Sequence, residues 1–161
     1  MIQDIYPHIY KNAFQTGVTP TDNDIIFSFE EDQVLMKDEH QFYRYHEISK
    51  KSSCYYLFSI DNLKFFLADL TSLNHIKVSF RAMRTFENRM LGFAAITAWQ
   101  LYRWIQDNKY CGKCGRPMDF DQKERAMRCP HCSNIVYPKI SPAVIVGIIN
   151  DKGQILVTKY A

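Results

Sequence analysis

Residues 110–137 read YCGKCGRPMDFDQKERAMRCPHCSNIVY, and this stretch decides how the rest of the chain is read. Cys111-Gly-Lys-Cys114-Gly and Cys129-Pro-His-Cys132 each put two thiols on one tight turn, and the glycines let backbone amides close around sulfur. Two such knuckles supply the four soft ligands of a tetrahedral Zn²⁺ site, with Zn–S near about 2.3 Å. A lone CxxC would equally suit a redox pair or buried free thiols. Two in tandem, joined by a length that fits a connecting hairpin, point to metal. Because Cys111, Cys114, Cys129 and Cys132 fill all four positions, the predicted ion is structural, with no place left for a reacting water. His131, inside the second knuckle, is expected to point outward. His8, His40, His46 and His75 are scattered singly without ligand spacing.

Upstream of the cysteines the period is helical. From about Phe86 to Asp107, Leu91, Ala94, Ala95, Ala98, Leu101, Tyr102 and Ile105 recur at i, i+3, i+4, i+7 spacing, with no proline and one glycine. This predicts a long amphipathic helix that carries the metal site at its C-terminal end. Trp99 and Trp104 are read as packing residues. Residues 1–70 instead alternate aromatic and polar positions between turn signals, which reads as antiparallel β. DIIFSF (24–29) and QVLMK (33–37) flank the acidic turn Glu30-Glu31-Asp32. CYYLFSI (54–60) and LKFFLADL (63–70) are joined by Asp61-Asn62, a connection of hairpin length that lacks the favoured glycine. QFYRYHEI (41–48) reads as another strand. Cys54, in an aromatic strand with no second ligand nearby, is expected to be buried and inert.

Downstream, Tyr137-Pro138 leads into PAVIVGII, the turn Asn150-Asp151-Lys152-Gly153, and QILVTKY, a buried hairpin signature over residues 142–160. A two-stranded hairpin apolar on both faces is not independently stable, so it either docks on the preceding domain or opens a domain whose remainder lies outside these residues; in the second case the segment is expected to be poorly ordered or buried against another copy of the chain. The whole chain of 161 residues is 47% hydrophobic, 23% charged and 14% aromatic, a globular composition without a disordered tail. Its net charge of +3 is too small to require a nucleic-acid or membrane partner. No window approaches the roughly 18 apolar residues of a membrane helix. MIQDIYPHIY lacks the cationic and apolar regions of a secretory signal, and five cysteines in this arrangement suit metal rather than disulfides, so a cytoplasmic location is expected. Within the ribbon, Lys113, Arg116, Lys123, Arg125 and Arg128 oppose Asp119, Asp121 and Glu124. Four thiolates around Zn²⁺ offset the remaining positive charge, which argues against a nucleic-acid clamp.

The predicted fold class is therefore α+β. It comprises a β-rich N-terminal region (1–85), a connecting helix (86–109), a four-cysteine zinc ribbon (110–137) and a β-hairpin opening a further domain (138–161).

The order of these parts, with KYCGKCG, CPHC and YPKISPAVIV at this spacing, resembles the NADH pyrophosphatase branch of the Nudix hydrolases, most closely over residues 80–161. The resemblance implies a homodimer in which a zinc ribbon joins the N-terminal domain to a mixed sheet sandwiched by helices. It implies hydrolysis of the diphosphate of NADH or NAD⁺ to a nicotinamide mononucleotide and AMP, and in some members removal of NAD caps from RNA. Catalysis there belongs to a box, GX5EX7REUXEEXGU, whose carboxylates hold Mg²⁺ or Mn²⁺. These 161 residues contain no Arg-Glu dipeptide and no such box, so the chain is expected to be an N-terminal portion that is inactive alone. By the same resemblance Glu124, Tyr137, Arg81 and Lys37 match substrate-contacting positions. The competing expectation is a non-catalytic zinc-ribbon module that binds nucleic acid or protein.

Overall fold

Runs in which neighbouring residues are all apolar become strands covered on both faces. The computed structural model describes residues 2–49, 52–139 and 144–158. Its N-terminal part builds β1 (Tyr10–Lys11), β2 (Ile25–Phe27), β3 (Phe29–Glu30), β4 (Gln33–Met36), β5 (Tyr43–Arg44), β6 (Tyr55–Ile60), β7 (Leu63–Leu67) and β8 (Ile76–Ser79). They form a five-stranded sheet in the order β1-β6-β7-β2-β5 and a three-stranded sheet in the order β3-β4-β8. Along β2 the side chains alternate: Ile25 and Phe27 join the main core, while Ile26 joins a smaller cluster with Tyr43, Ile48 and Phe66 on the opposite face.

The helix α1 (Arg89–Asp107) closes the main core with Ala94, Ala95, Ala98 and Leu101, and its small residues let the backbone lie close to the phenylalanines of the sheet. It begins three residues later than periodicity alone suggests, because Asn88 caps it: the side-chain oxygen accepts the Leu91 amide at 3.1 Å. The preceding Phe80–Thr85 segment is a 3₁₀ turn. Gly92 lies against that turn so closely that an added Cβ would sit 2.5 Å from the Met83 carbonyl oxygen. Gly92→Ala therefore gains helix propensity yet forces two backbones apart, and a net loss of about 1–2 kcal/mol is expected in thermal or urea melts.

Two sequence expectations need correction. The sheet is not wholly antiparallel: β2 and β7 pair parallel, with Ile25 opposite Phe65 and Phe27 opposite Leu67. The chain leaves β2 through the second sheet and returns by β5 and β6, which supplies the long crossover that parallel pairing needs. Within 41–48 only Tyr43–Arg44 is strand. Tyr45–Glu47 turns into a 3₁₀ helix because the Arg44 amide donates to Glu47 Oε2 at 2.9 Å and Lys37 Nζ donates to Glu47 Oε1 at 2.6 Å. The C-terminal hairpin is formed only in part. Its turn forms where expected, with the Gly153 amide on the Asn150 carbonyl at 2.9 Å, but pairing is limited to a single bridge, Ile149 with Ile155. Val144, Ile145, Val146, Leu156 and Val157 are exposed, and no third element covers them among the described residues. The parts of this hairpin at 142–143 and 159–160 lie outside the described residues.

Cys54 is half-buried, with its thiol on the Ser52 carbonyl and burial raising its pKa. Trp104 is buried, and Trp99 stacks on Phe80 with ring centroids 3.8 Å apart. No helix among the described residues is long and apolar enough to cross a membrane.

Candidate metal centre and the adjoining Glu124–Tyr137 pair

Helix α1 ends at the ribbon, as its position in the sequence suggests. Asn108 caps it by donating its side-chain amide to the Trp104 carbonyl at 2.7 Å, and Trp104 and Ile105 then pack with Cys111, Met118, Met127 and Cys129. The ribbon adds β9 (Asp119–Phe120), β10 (Met127–Arg128) and β11 (Ile135–Val136), paired antiparallel in the order β11-β10-β9.

The two knuckles fold alike. In the first, the Gly115 amide bonds the Cys111 carbonyl at 2.7 Å; in the second, the Ser133 amide bonds the Cys129 carbonyl at 3.0 Å. Each turn needs a left-handed residue just after its second cysteine, Gly115 at φ 74° and Ser133 at φ 57°. That conformation is disfavoured for any residue with a Cβ. Ser133→Gly is expected to stabilise the ribbon by about 0.5–1 kcal/mol, read as roughly two- to fivefold tighter zinc retention in a chelator competition. Gly115→Ala, which meets no atom within 4 Å and so is strained only in its backbone, should cost about 1 kcal/mol.

The four cysteine sulfurs lie within 4.8 Å of one another. Cys111 and Cys132 are 3.6 Å apart, Cys114 and Cys129 3.5 Å, close to the edge of about 3.8 Å that a tetrahedron with Zn–S near 2.3 Å requires. Burial disfavours the Cys111 thiolate, but the amides of Lys113 and Cys114 and the adjoining sulfurs bring its pKa down to about 6. The Cys132 amide does most to lower Cys129. The Arg116 amide favours the Cys114 thiolate too, yet burial and three neighbouring sulfurs together push it up to about 12. Four thiolates this close cannot all ionise without a cation among them, and a dication with soft-ligand preference satisfies them. Asn134 Nδ2 also donates to Cys111 Sγ at 3.6 Å. His131 is exposed and outside the cluster, as expected.

Two of the four candidate substrate residues come together on this ribbon. Tyr137, just past β11, donates its hydroxyl to Glu124 Oε1 at 2.8 Å, and that bond raises the phenol above its ordinary pKa. Glu124 sits in the tip between β9 and β10. The other two stand elsewhere: Lys37 follows β4 and is paired with Glu47, while Arg81 is exposed in the 3₁₀ turn after β8. Since Gln33 pairs with Ser79 and Met36 with Ile76, Lys37 and Arg81 project from opposite ends of one strand ladder.

Sequence reasoning gave no role to Arg125, which anchors the ribbon to the N-terminal sheet. Its guanidinium donates to the Asn12 side chain and to the Leu57 carbonyl. Leu57 lies at a register shift in the β6–β7 pairing, and Arg125 takes the carbonyl of this irregular residue. Arg125 and Tyr137 also line a cavity of about 520 Å³ with Tyr10, Phe93, Trp104 and Lys139.

Comparison with known proteins adds to this geometry. A family model described as NADH pyrophosphatase zinc ribbon domain matches residues 106–137. The chain is 42% identical over 71 residues to a Pseudomonas fluorescens protein named NAD-capped RNA hydrolase NudC, covering 44% of this chain and 24% of that protein. It is 34% identical over 107 residues to the Pseudomonas putida protein of the same name, covering 62% of this chain and 37% of that one. A Klebsiella pneumoniae protein so named is 42% identical over 57 residues, 35% of this chain and 22% of its own length. The matched stretches thus span well under half of these relatives.

Proposed function

We propose, from the premise that the chain belongs to the NADH pyrophosphatase family whose zinc ribbon it carries, that it forms the substrate-contacting, non-catalytic portion of a Nudix hydrolase. The reaction served is cleavage of the diphosphate in NADH or NAD⁺, free or as an RNA cap, to a nicotinamide mononucleotide and AMP. The single observation that carries this reading is the Glu124–Tyr137 hydrogen bond on a ribbon of this family.

The chemistry of the pair is specific. Tyr137 spends its proton on Glu124, so both residues face a ligand as hydrogen-bond acceptors: Glu124 Oε2 and the tyrosine oxygen. They suit hydroxyl or amide donors of a nucleoside rather than its phosphates. Zn²⁺ supplies no catalysis here; it holds the knuckles and hence the hairpin tip bearing Glu124. The Mg²⁺ or Mn²⁺ of the Nudix box finds no matching donor set in these residues: the cysteine quartet is the one cluster with ligand geometry among those described, and its soft sulfurs suit zinc. Hydrolysis is therefore assigned to the Nudix box of the complete protein. We place that protein in the cytoplasm as a homodimer, with Lys37 and Arg81, at opposite ends of the β4–β8 ladder, as further substrate contacts outside the Glu124–Tyr137 pair.

Titration calorimetry with NADH and with uncapped RNA tests the reading. NADH should bind, and Glu124→Gln should weaken it at least tenfold, given roughly 1.5 kcal/mol for a hydrogen bond to a charged group. Equal binding of uncapped RNA, unaffected by the substitution, would favour a nucleic-acid module instead. The 161 residues alone should release no AMP from NADH with Mg²⁺ or Mn²⁺.

A further inference from the structure

The tip between β9 and β10 contains a carboxylate that the proposed site does not use. Asp121 is buried, and two of its side-chain hydrogen bonds serve the loop that carries Glu124. Its Oδ1 accepts the amides of Lys123 at 2.8 Å and Glu124 at 3.2 Å, and its Oδ2 takes Arg128 Nε at 2.5 Å. Its own amide closes the tip on the Ala126 carbonyl at 2.9 Å. A side chain that binds the amides two and three residues on fixes a short turn as a cap fixes a helix. Here the turn ends at the residue whose carboxylate meets Tyr137.

We propose that Asp121 is the positioning residue of this site: by gripping the Lys123 and Glu124 amides it aims the Glu124 carboxylate at Tyr137 and so presets the acceptor pair. The inference rests on the reading of Glu124 and Tyr137 as ligand contacts for its functional meaning, but its geometry stands without it. Arg128 holds Asp121 ionised and oriented, and this charged contact keeps the buried carboxylate on the loop. Preorganisation of this kind matters because a flexible Glu124 would lose side-chain freedom on meeting each ligand.

The test follows the Tyr137 ring carbon by NMR titration in the zinc-loaded chain. Glu124→Gln sets the reference for a lost charge partner and should lower the Tyr137 midpoint. Asp121→Ala should lower it by at least half of that displacement while one zinc per chain is retained. Asp121→Asn, which keeps an oxygen for both amides but lacks the charge that itself helps to raise Tyr137, should recover more than half of the alanine displacement. A zinc-loaded Asp121→Ala chain with wild-type Tyr137 titration overturns the proposal. Should the alanine chain release zinc, the asparagine chain decides: a midpoint nearer to wild type than to Glu124→Gln, with the Lys123 and Glu124 amides still protected from exchange, supports it, and a midpoint at the Glu124→Gln value overturns it. NADH added to the wild-type chain separates the two ideas, since an unperturbed Tyr137 signal refutes ligand contact while leaving the role of Asp121 intact.

Discussion

Replacing Cys129 with serine is expected to abolish stoichiometric zinc retention and unfold residues 110–137, while the N-terminal sheets stay folded. Cys129 is fully buried, and its sulfur lies 3.5 Å from that of Cys114, so serine leaves three thiolates around an incomplete tetrahedron. Apart from the Arg125 anchor the ribbon has little else to hold it: its strands are two residues each, and its core is Met118 and Met127 against Trp104 and Ile105 of the helix. Structural zinc contributes on the order of 10–16 kcal/mol in peptides of this kind, so the metal accounts for most of the ribbon's stability. The N-terminal region has its own phenylalanine core, which contains no ribbon residue. Metal analysis should fall from one equivalent toward zero, with amide signals lost from the ribbon and retained in β2, β6 and β7. A well-ordered ribbon with four titratable thiols and no metal would contradict this account.

Phe65→Ala should remove about 3–5 kcal/mol from the N-terminal region, a large share of the roughly 5–15 kcal/mol that a domain possesses. Phe65 is fully buried in the central strand β7. Its ring lies parallel to Phe27 at 5.7 Å and tilted against Phe58 at 5.2 Å, so truncation leaves a cavity walled by rigid aromatics that cannot collapse into it. Urea unfolding followed by far-ultraviolet circular dichroism should show the midpoint shift with an unchanged slope. A loss below about 1 kcal/mol would mean that the sheet repacks, contrary to the density of this core.

These two outcomes draw on features that differ in how openly the sequence displays them. The cysteine quartet was legible because metal geometry demands four ligands of one type in two tight turns, a pattern few other constraints produce. Helix α1 was legible from its period, though its start was not, since Asn88 as cap and the turn at Phe80–Thr85 depend on how Gly92 meets Met83. The β6–β7 hairpin was legible from its two-residue connection, and Asp61 adopts the positive φ that glycine would usually supply. The parallel pairing of β2 with β7 was not, because pairing partners across a long crossover leave no local signal. Of the site, Glu124 and Tyr137 came from resemblance alone. Asp121 carried a readable cue, an aspartate opening a polar hairpin tip, whereas Arg125 did not: its partner is a carbonyl at a strand irregularity that composition cannot reveal.

The register of the N-terminal sheets also sets the order in which this molecule can assemble. Tyr10 pairs with Ile60, Ile25 with Phe65 and Gln33 with Ser79, so β1, β2 and β4 each wait for a partner far along the chain. Closing such loops costs entropy before any contact rewards it, and chains with this topology fold slowly. On a ribosome, β2 and β4 emerge well before β7 and β8, so each keeps one edge open during synthesis even when β5 and β3 have paired with the other. The ribbon closes within its own residues, each knuckle on a turn of a few residues, and needs only the ion. A segment made after every strand of the sheets is thus the one that can close fastest, and α1, lying between the two, can be anchored at a finished C-terminal end while its other face still seeks the sheet.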